Sequence, residues 1–191
     1  MNVPIETPSA TATFLAEVRA SLGEIDAASV EHIADLLAEA WRSGARVFVM
    51  GNGGSAATAS HFVCDLHGAT RGERTLGVLC LSDAVPLLTA LANDRGYENV
   101  FAEQLVAHAR PGDVAIVLSA SGSSENVVRA VHTAAARGVH TVGILGFGGG
   151  KLAELVEARV VVRSTDFGVV ESVHATVTHL LAARVRARVH A

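Results

Sequence analysis

The feature that most constrains this chain is a recurring unit: a short run of Val, Ile and Leu, a turn rich in Gly or Ser, then a helical period. Arg46-Val47-Phe48-Val49-Met50 runs directly into Gly51-Asn52-Gly53-Gly54-Ser55, and Ala56 to Leu66 continues as a helix. The unit returns at Asp113 to Leu118, with the turn Ser119-Ala120-Ser121-Gly122-Ser123-Ser124 and a helix from Glu125 to Arg137. Further strands are expected at Gly77 to Leu81, His140 to Leu145 and Ala158 to Val162. Helices are expected at Ala84 to Leu91, Glu98 to Ala109, Lys151 to Val156 and Gly168 to Arg188. Apolar strands separated by helices belong to a parallel sheet covered on both faces, so the pattern predicts an α/β fold with about five parallel strands.

Two helices come before the sheet. Thr7 to Leu22 is periodic, and Asp26 to Ser43 sets Ile33, Leu36, Leu37 and Trp41 on one face, with Asp26 as cap and Gly44 as stop. With 191 residues, half of them apolar, and no linker or shift in composition, residues 1–191 are expected to form one domain: a helical part, 1–44, and an α/β core, 45–191. A net charge of −4 argues against a nucleic-acid partner, which calls for a basic surface. Met1 to Ala20 contains Glu6 and Glu17 and no unbroken apolar run, so neither a signal peptide nor a membrane span is expected. Cys64 and Cys80 lack metal-ligand spacing and read as the reduced thiols of a cytoplasmic protein. The surplus of small apolar residues over aromatics suggests tight packing and further burial in an oligomer.

In open parallel sheets, ligands bind beyond the carboxyl ends of the strands. Two turns fall there, and both suit a phosphate. The Gly51–Ser55 turn offers unhindered backbone N–H groups at a helix N-terminus together with the Ser55 hydroxyl, and the Ser119–Ser124 turn offers four hydroxyls around one glycine. Neither carries a positive charge, which fits a sugar monophosphate better than a nucleoside triphosphate and its metal. The blander reading, that Gly and Ser are turn and cap residues, explains one such turn more readily than two. Gly51-x-Gly53-x-x-Ala56 matches a dinucleotide fingerprint, but the acid expected about 20 residues on is absent; only the later Asp83 is available. Gly148-Gly149-Gly150-Lys151 fails as a phosphate-binding P-loop because positions 145 and 152 are both Leu. No nucleotide cofactor is therefore expected.

His61 and Asp65 stand at i, i+4 and are expected to project together near the phosphate end of their helix. The last helix carries Glu171, His174 and His179. A histidine on an apolar helix is more often packed or exposed than a ligand. Joined to carboxylates on elements that could converge, these residues point to acid/base or metal chemistry. Arg184, Arg186 and Arg188 read as complements to the negative end of that helix.

Gly51-Asn52-Gly53-Gly54-Ser55-Ala56-Ala57…His61-Phe62 resembles the signature of the phosphoheptose isomerases, a branch of the SIS (sugar isomerase) fold. The likeness extends to Asn93-Asp94, Ser119-x-Ser121-Gly122-x-Ser124 and the last helix with His174 and His179. It implies a homotetramer with active sites at subunit contacts, residues 1–44 serving in assembly. The implied reaction converts sedoheptulose 7-phosphate to D-glycero-D-manno-heptose 7-phosphate through an enediol, with Zn2+ in some members. By resemblance, Ser55, Ser119, Ser121 and Ser124 hold phosphate beside Gly53, while Asn52 and Asp94 line the sugar. Asp65 is the carbon base, His179 the second acid/base, and His61, Asp65, Glu171 and His179 the metal-capable set.

The chain departs from that pattern in three places. The family's base is Glu where this chain has Asp65. Its Gln-Glu pair is Glu171-Ser172, which adds a carboxylate. A substrate-binding Arg is replaced by Ala69, with Arg71 as a possible substitute. Glu171 is thus an alternative carbon base, or a member of a two-His, two-carboxylate metal centre. The rival expectations are a different phosphosugar substrate in glycan or natural-product synthesis, a phosphosugar-sensing module, and a non-catalytic binding protein of the same fold.

Overall fold

The five strands are β1 (Arg46–Gly51), β2 (Gly77–Cys80), β3 (Val114–Ser119), β4 (His140–Leu145) and β5 (Ala158–Val161). They form one sheet in the order β2-β1-β3-β4-β5, and every neighbouring pair is parallel. The computed structural model describes residues 9–191. Helices α1 (Ala10–Gly23) and α2 (Ala27–Ser43) precede the sheet; α3 (Gly54–Ala69), α4 (Val85–Arg95), α5 (Val100–His108), α6 (Glu125–Ala136) and α7 (Phe167–Val189) follow its strands. The chain is a single α/β domain, as the strand pattern predicts.

Because strand side chains alternate, each buried strand feeds two cores. Val47 and Val49 of β1, with Ile116 and Leu118 of β3, pack against α2, α3 and α7 through Ile33, Leu37, Phe62, Leu66, Val173 and Val177. Phe48 and Met50, with Ala115 and Val117, face α5 and α6 through Phe101, Leu105, Val127 and Val131. Each fully buried Phe contributes on the order of 2–3 kcal/mol through burial. Strand order sets up the site. From β1 the chain moves outward to β2, then returns to β3 on the other side of β1. Helices α3 and α6 therefore leave adjacent strand ends toward opposite faces, and the crevice between them is where such sheets bind ligands.

Helix α2 begins and ends as its sequence predicts. The Asp26 carboxylate accepts from the N–H groups of Ala28 and Ser29 at 3.2 and 3.1 Å, and Gly44 takes φ +75° at the stop. Helix α1 starts at Ala10, where the Ser9 hydroxyl accepts from Ala12 N–H at 3.2 Å. The Thr7 and Pro8 assigned to it from sequence lie outside the described residues.

Two expectations need correction. Helix α3 runs from Gly54 to Ala69, longer at both ends, because the glycines supply its first turn: Ala56 N–H donates to the Gly53 carbonyl. The short helix expected at 151–156 is a 3-10 segment, Phe147–Glu154, with Gly148, Gly149 and Gly150 all in left-handed conformations. Arg186 and Arg188 lie in the last turn of α7, as expected, and Arg184 and Arg188 also reach across to α2, where Arg188 donates to Asp35 and Glu31 at 2.6 Å each. The Arg188 Nη1 turns back to the Arg184 carbonyl of its own helix at 3.2 Å. Among the described residues, no helix is long and apolar enough to cross a membrane.

Candidate active site

The Gly51–Ser55 and Ser119–Ser124 turns leave neighbouring strands at the register pair Gly51–Leu118 and enclose a cleft of about 110 Å³. Asn52, Ser55, Ser119, Ser121, Ser124, Phe167 and Glu171 contribute to its lining. Gly51 is required for the turn: a Cβ there would lie 2.8 Å from the Ser55 backbone. Gly53, at φ +54°, precedes the first turn of α3. The serine loop is held from below. The Ser119 hydroxyl accepts from Gly122 N–H at 3.0 Å, and the Gly122 carbonyl accepts from Leu152 N–H at 2.9 Å. Gly122, at φ +61°, lies so near the Gly149 carbonyl that a Cβ would come within 2.0 Å of it. The N-termini of α3 and α6 open beside hydroxyls, and no Lys or Arg is among the lining residues, so the cleft can bind an anion by dipoles and hydroxyl donors.

A second group lies elsewhere. His61 and Asp65 on α3 meet His179 on α7, and their ligand-type atoms lie within 4.8 Å of one another. The imidazole rings stand edge to face at 5.0 Å. Asp65 Oδ2 is 2.9 Å from His179 Nδ1 and 3.4 Å from His61 Nε2, yet it is shielded from solvent and has no partner with hydrogen-bond geometry. An orphaned carboxylate oxygen between two imidazoles fits a divalent metal such as zinc, which takes N and O ligands in this combination.

The two centres are separate within one chain. Asp65 lies ten residues beyond Ser55 on α3, about 15 Å along the axis, and His179 eight residues beyond Glu171 on α7, about 12 Å. The expectation that His61 and Asp65 sit near the phosphate end is therefore corrected by the helical rise. Glu171 does not join the other three metal-capable residues: its carboxylate lies over Gly54, where a Cβ would come 2.3 Å from Oε1. Asp94 is exposed on α4, accepts from Asn93 Nδ2 at 2.8 Å, and is not among the cleft's lining residues. His174 is buried and does not join His61, Asp65 and His179, and neither of its nitrogens makes a hydrogen bond of good geometry. Burial pushes its pKa down to about 4, with the Leu145 backbone pulling weakly the other way. Cys64 is exposed next to Asp65, while burial raises the Cys80 thiol to about 11.

Sequence reasoning missed three residues. Phe167 lines the cleft and stacks edge-to-face on Phe147 at 4.7 Å. Asn126 exchanges hydrogen bonds with Asn52 at 2.9 and 2.8 Å, and the Tyr97 hydroxyl donates to Asn52 Oδ1 at 2.8 Å. An Asn in the first turn of a helix gives no local signal that separates such a role from capping.

Fold and cleft define a class, and the family model described as the SIS domain matches residues 13–146. Within that class, the chain is 41% identical to the phosphoheptose isomerase of Geotalea daltonii over 166 residues, 86% of each protein. It is 38% identical to that of Aquifex aeolicus, across 87% of each. The solved structure of phosphoheptose isomerase GmhA from Neisseria gonorrhoeae superposes with a TM-score of 0.86 at 28% identity, covering 93% of this chain and 97% of that one. The chain belongs to the phosphoheptose isomerase family of SIS-domain proteins, and it is an enzyme.

Proposed function

We propose that this enzyme interconverts sedoheptulose 7-phosphate and D-glycero-D-manno-heptose 7-phosphate through an enediol. The observation that carries the reading is the pairing of a serine cleft lined by no cation with a separate imidazole–carboxylate group, in a chain of this family. Ser55, Ser119, Ser121 and Ser124 hold the phosphate with the Gly53 turn; Asn52 meets the sugar within the cleft, and Asp94 reaches it from α4, outside the cleft's lining. Asp65 moves the proton between C1 and C2, and His179 moves protons between the two oxygens. His61, Asp65 and His179 would hold zinc; when bound, it would polarise the substrate carbonyl.

A heptose phosphate must meet both centres at once, which a single chain, with its centres about 15 Å apart along α3, does not arrange. We therefore read the enzyme as a homotetramer in which the cleft of one subunit faces the His–Asp group of another. Glu171 would then approach that group from the neighbouring subunit, as fourth ligand or alternative base. The uncovered apolar side chains of Phe14 and Leu15 on α1, and of Leu79, Val85 and Leu87 around β2 and α4, support an assembly that uses residues 1–44. Free Cys64 and Cys80 agree with a cytoplasmic enzyme.

The test is an NMR assay with sedoheptulose 7-phosphate in D₂O, with and without added zinc. Appearance of the aldose with deuterium at C1 or C2 is expected. Folded, tetrameric protein that gives neither product nor exchange would overturn the reading.

A further inference from the structure

Asn52, Asn126 and Tyr97 come from three segments: the turn after β1, the first turn of α6, and the 3-10 turn Tyr97–Asn99. Asn126 is 2% exposed. Amide oxygen and nitrogen are hard to tell apart by shape, so orientation has to follow from the partners. Here the backbone decides. Val127 N–H, which can only donate, lies 2.9 Å from Asn126 Oδ1 and so fixes that atom as oxygen. The Asn126 Nδ2 then donates to Asn52 Oδ1 at 2.8 Å, and Asn52 Nδ2 donates to Asn126 Oδ1 at 2.9 Å. The Tyr97 hydroxyl gives its proton to Asn52 Oδ1 at 2.8 Å.

The inventory is now closed. Asn52 Oδ1 has both lone pairs engaged, and one of the two Asn52 Nδ2 protons is taken. One N–H remains, on a residue that lines the serine cleft. We propose that Asn126 and Tyr97 are positioning residues that lock Asn52 as a donor toward an oxygen of the bound sugar phosphate. The Val127 backbone N–H sets the polarity of the whole relay. Tyr97, its proton spent, keeps its own oxygen as an acceptor at the rim, where it is 51% exposed. The inference rests on the cleft being the sugar-phosphate site.

Asn126→Asp keeps the shape and both acceptor contacts but sets a carboxylate oxygen against Asn52 Oδ1, so the Asn52 amide must turn round or leave. Affinity for inorganic phosphate and for sedoheptulose 7-phosphate, measured by calorimetry, should fall roughly tenfold or more. Tyr97→Phe removes one bond at an exposed position and should raise KM by about three- to tenfold with kcat little changed. In wild-type protein with ¹⁵N-labelled asparagine, phosphate should shift one Asn52 amide proton strongly and its hydrogen-bonded twin weakly, a signature that a purely structural role would not give. Wild-type affinity and KM in both variants, or equal shifts of both protons, would overturn the proposal. If Asn126→Asp fails to fold, Tyr97→Phe and the wild-type spectrum decide. Phosphate binding without turnover of sedoheptulose 7-phosphate would sink the proposed reaction alone, whereas no phosphate binding would sink this inference too.

Discussion

Gly51 and Gly54 belong to one turn, yet a side chain would meet very different obstacles at each. At Gly54 the three atoms nearest an added Cβ all belong to the far end of Glu171, and the residue is already helical. Gly54→Ala should therefore fold with a Tm within a few degrees of wild type while displacing the Glu171 carboxylate and altering phosphate affinity. At Gly51 the Cβ would press on the Ser55 backbone, so Gly51→Ala should cost about 1–3 kcal/mol or more in a denaturant melt. His174 gives a pH signature. Its folded pKa, about 4, lies below the ordinary 6.5 because burial disfavours the charged ring, so the unfolded chain binds the proton more readily between those values. Stability is complete above about pH 6.5 and drains away as pH falls toward 4, by about 3 kcal/mol from this residue. Urea titrations of wild type and His174→Leu across that window should show a shallower fall in the variant.

Between elements, the clearest tie is Arg188 of α7, which grips Glu31 and Asp35 of α2. These acids are well exposed, so Arg188→Ala should lower Tm by only a few degrees, and by less at high salt. The boundaries of α2 were legible because its signals are local: an Asp cap, a Gly stop and an apolar stripe. The start of α3 was not, since consecutive glycines read as turn and only the packing of the strand–turn–helix unit closes them into a helix. The 3-10 segment after β4 was hidden for the same reason. The site divides along similar lines. Both turns of the cleft carry their Gly and Ser residues within a few positions and could be read directly. The pairing of His61 with Asp65 follows from helical spacing, but their meeting with His179 depends on how α3 packs on α7. The Asn52–Asn126 pair joins residues 74 positions apart, which no local pattern signals.

At the scale of the whole molecule, the distance between the two centres makes a prediction about mixtures. Asp65→Asn and Ser121→Ala should each be nearly inactive as homomers. Co-expressed, the two should regain part of the wild-type rate, because some shared sites would combine an intact cleft with an intact Asp65. No recovery in verified hybrids would mean that each site is built within one chain. The sheet itself has a related consequence. One wall of the cleft is anchored through α3 in the core on one face, the other through α6 in the core on the opposite face, with the stiff parallel strands between them. The sheet thus works as a gauge block that sets the jaw opening. A small change of volume at Ile116 or Val131, neither of which lines the cleft, would be felt first as a change in the size of anion the enzyme prefers, before the fold gives way.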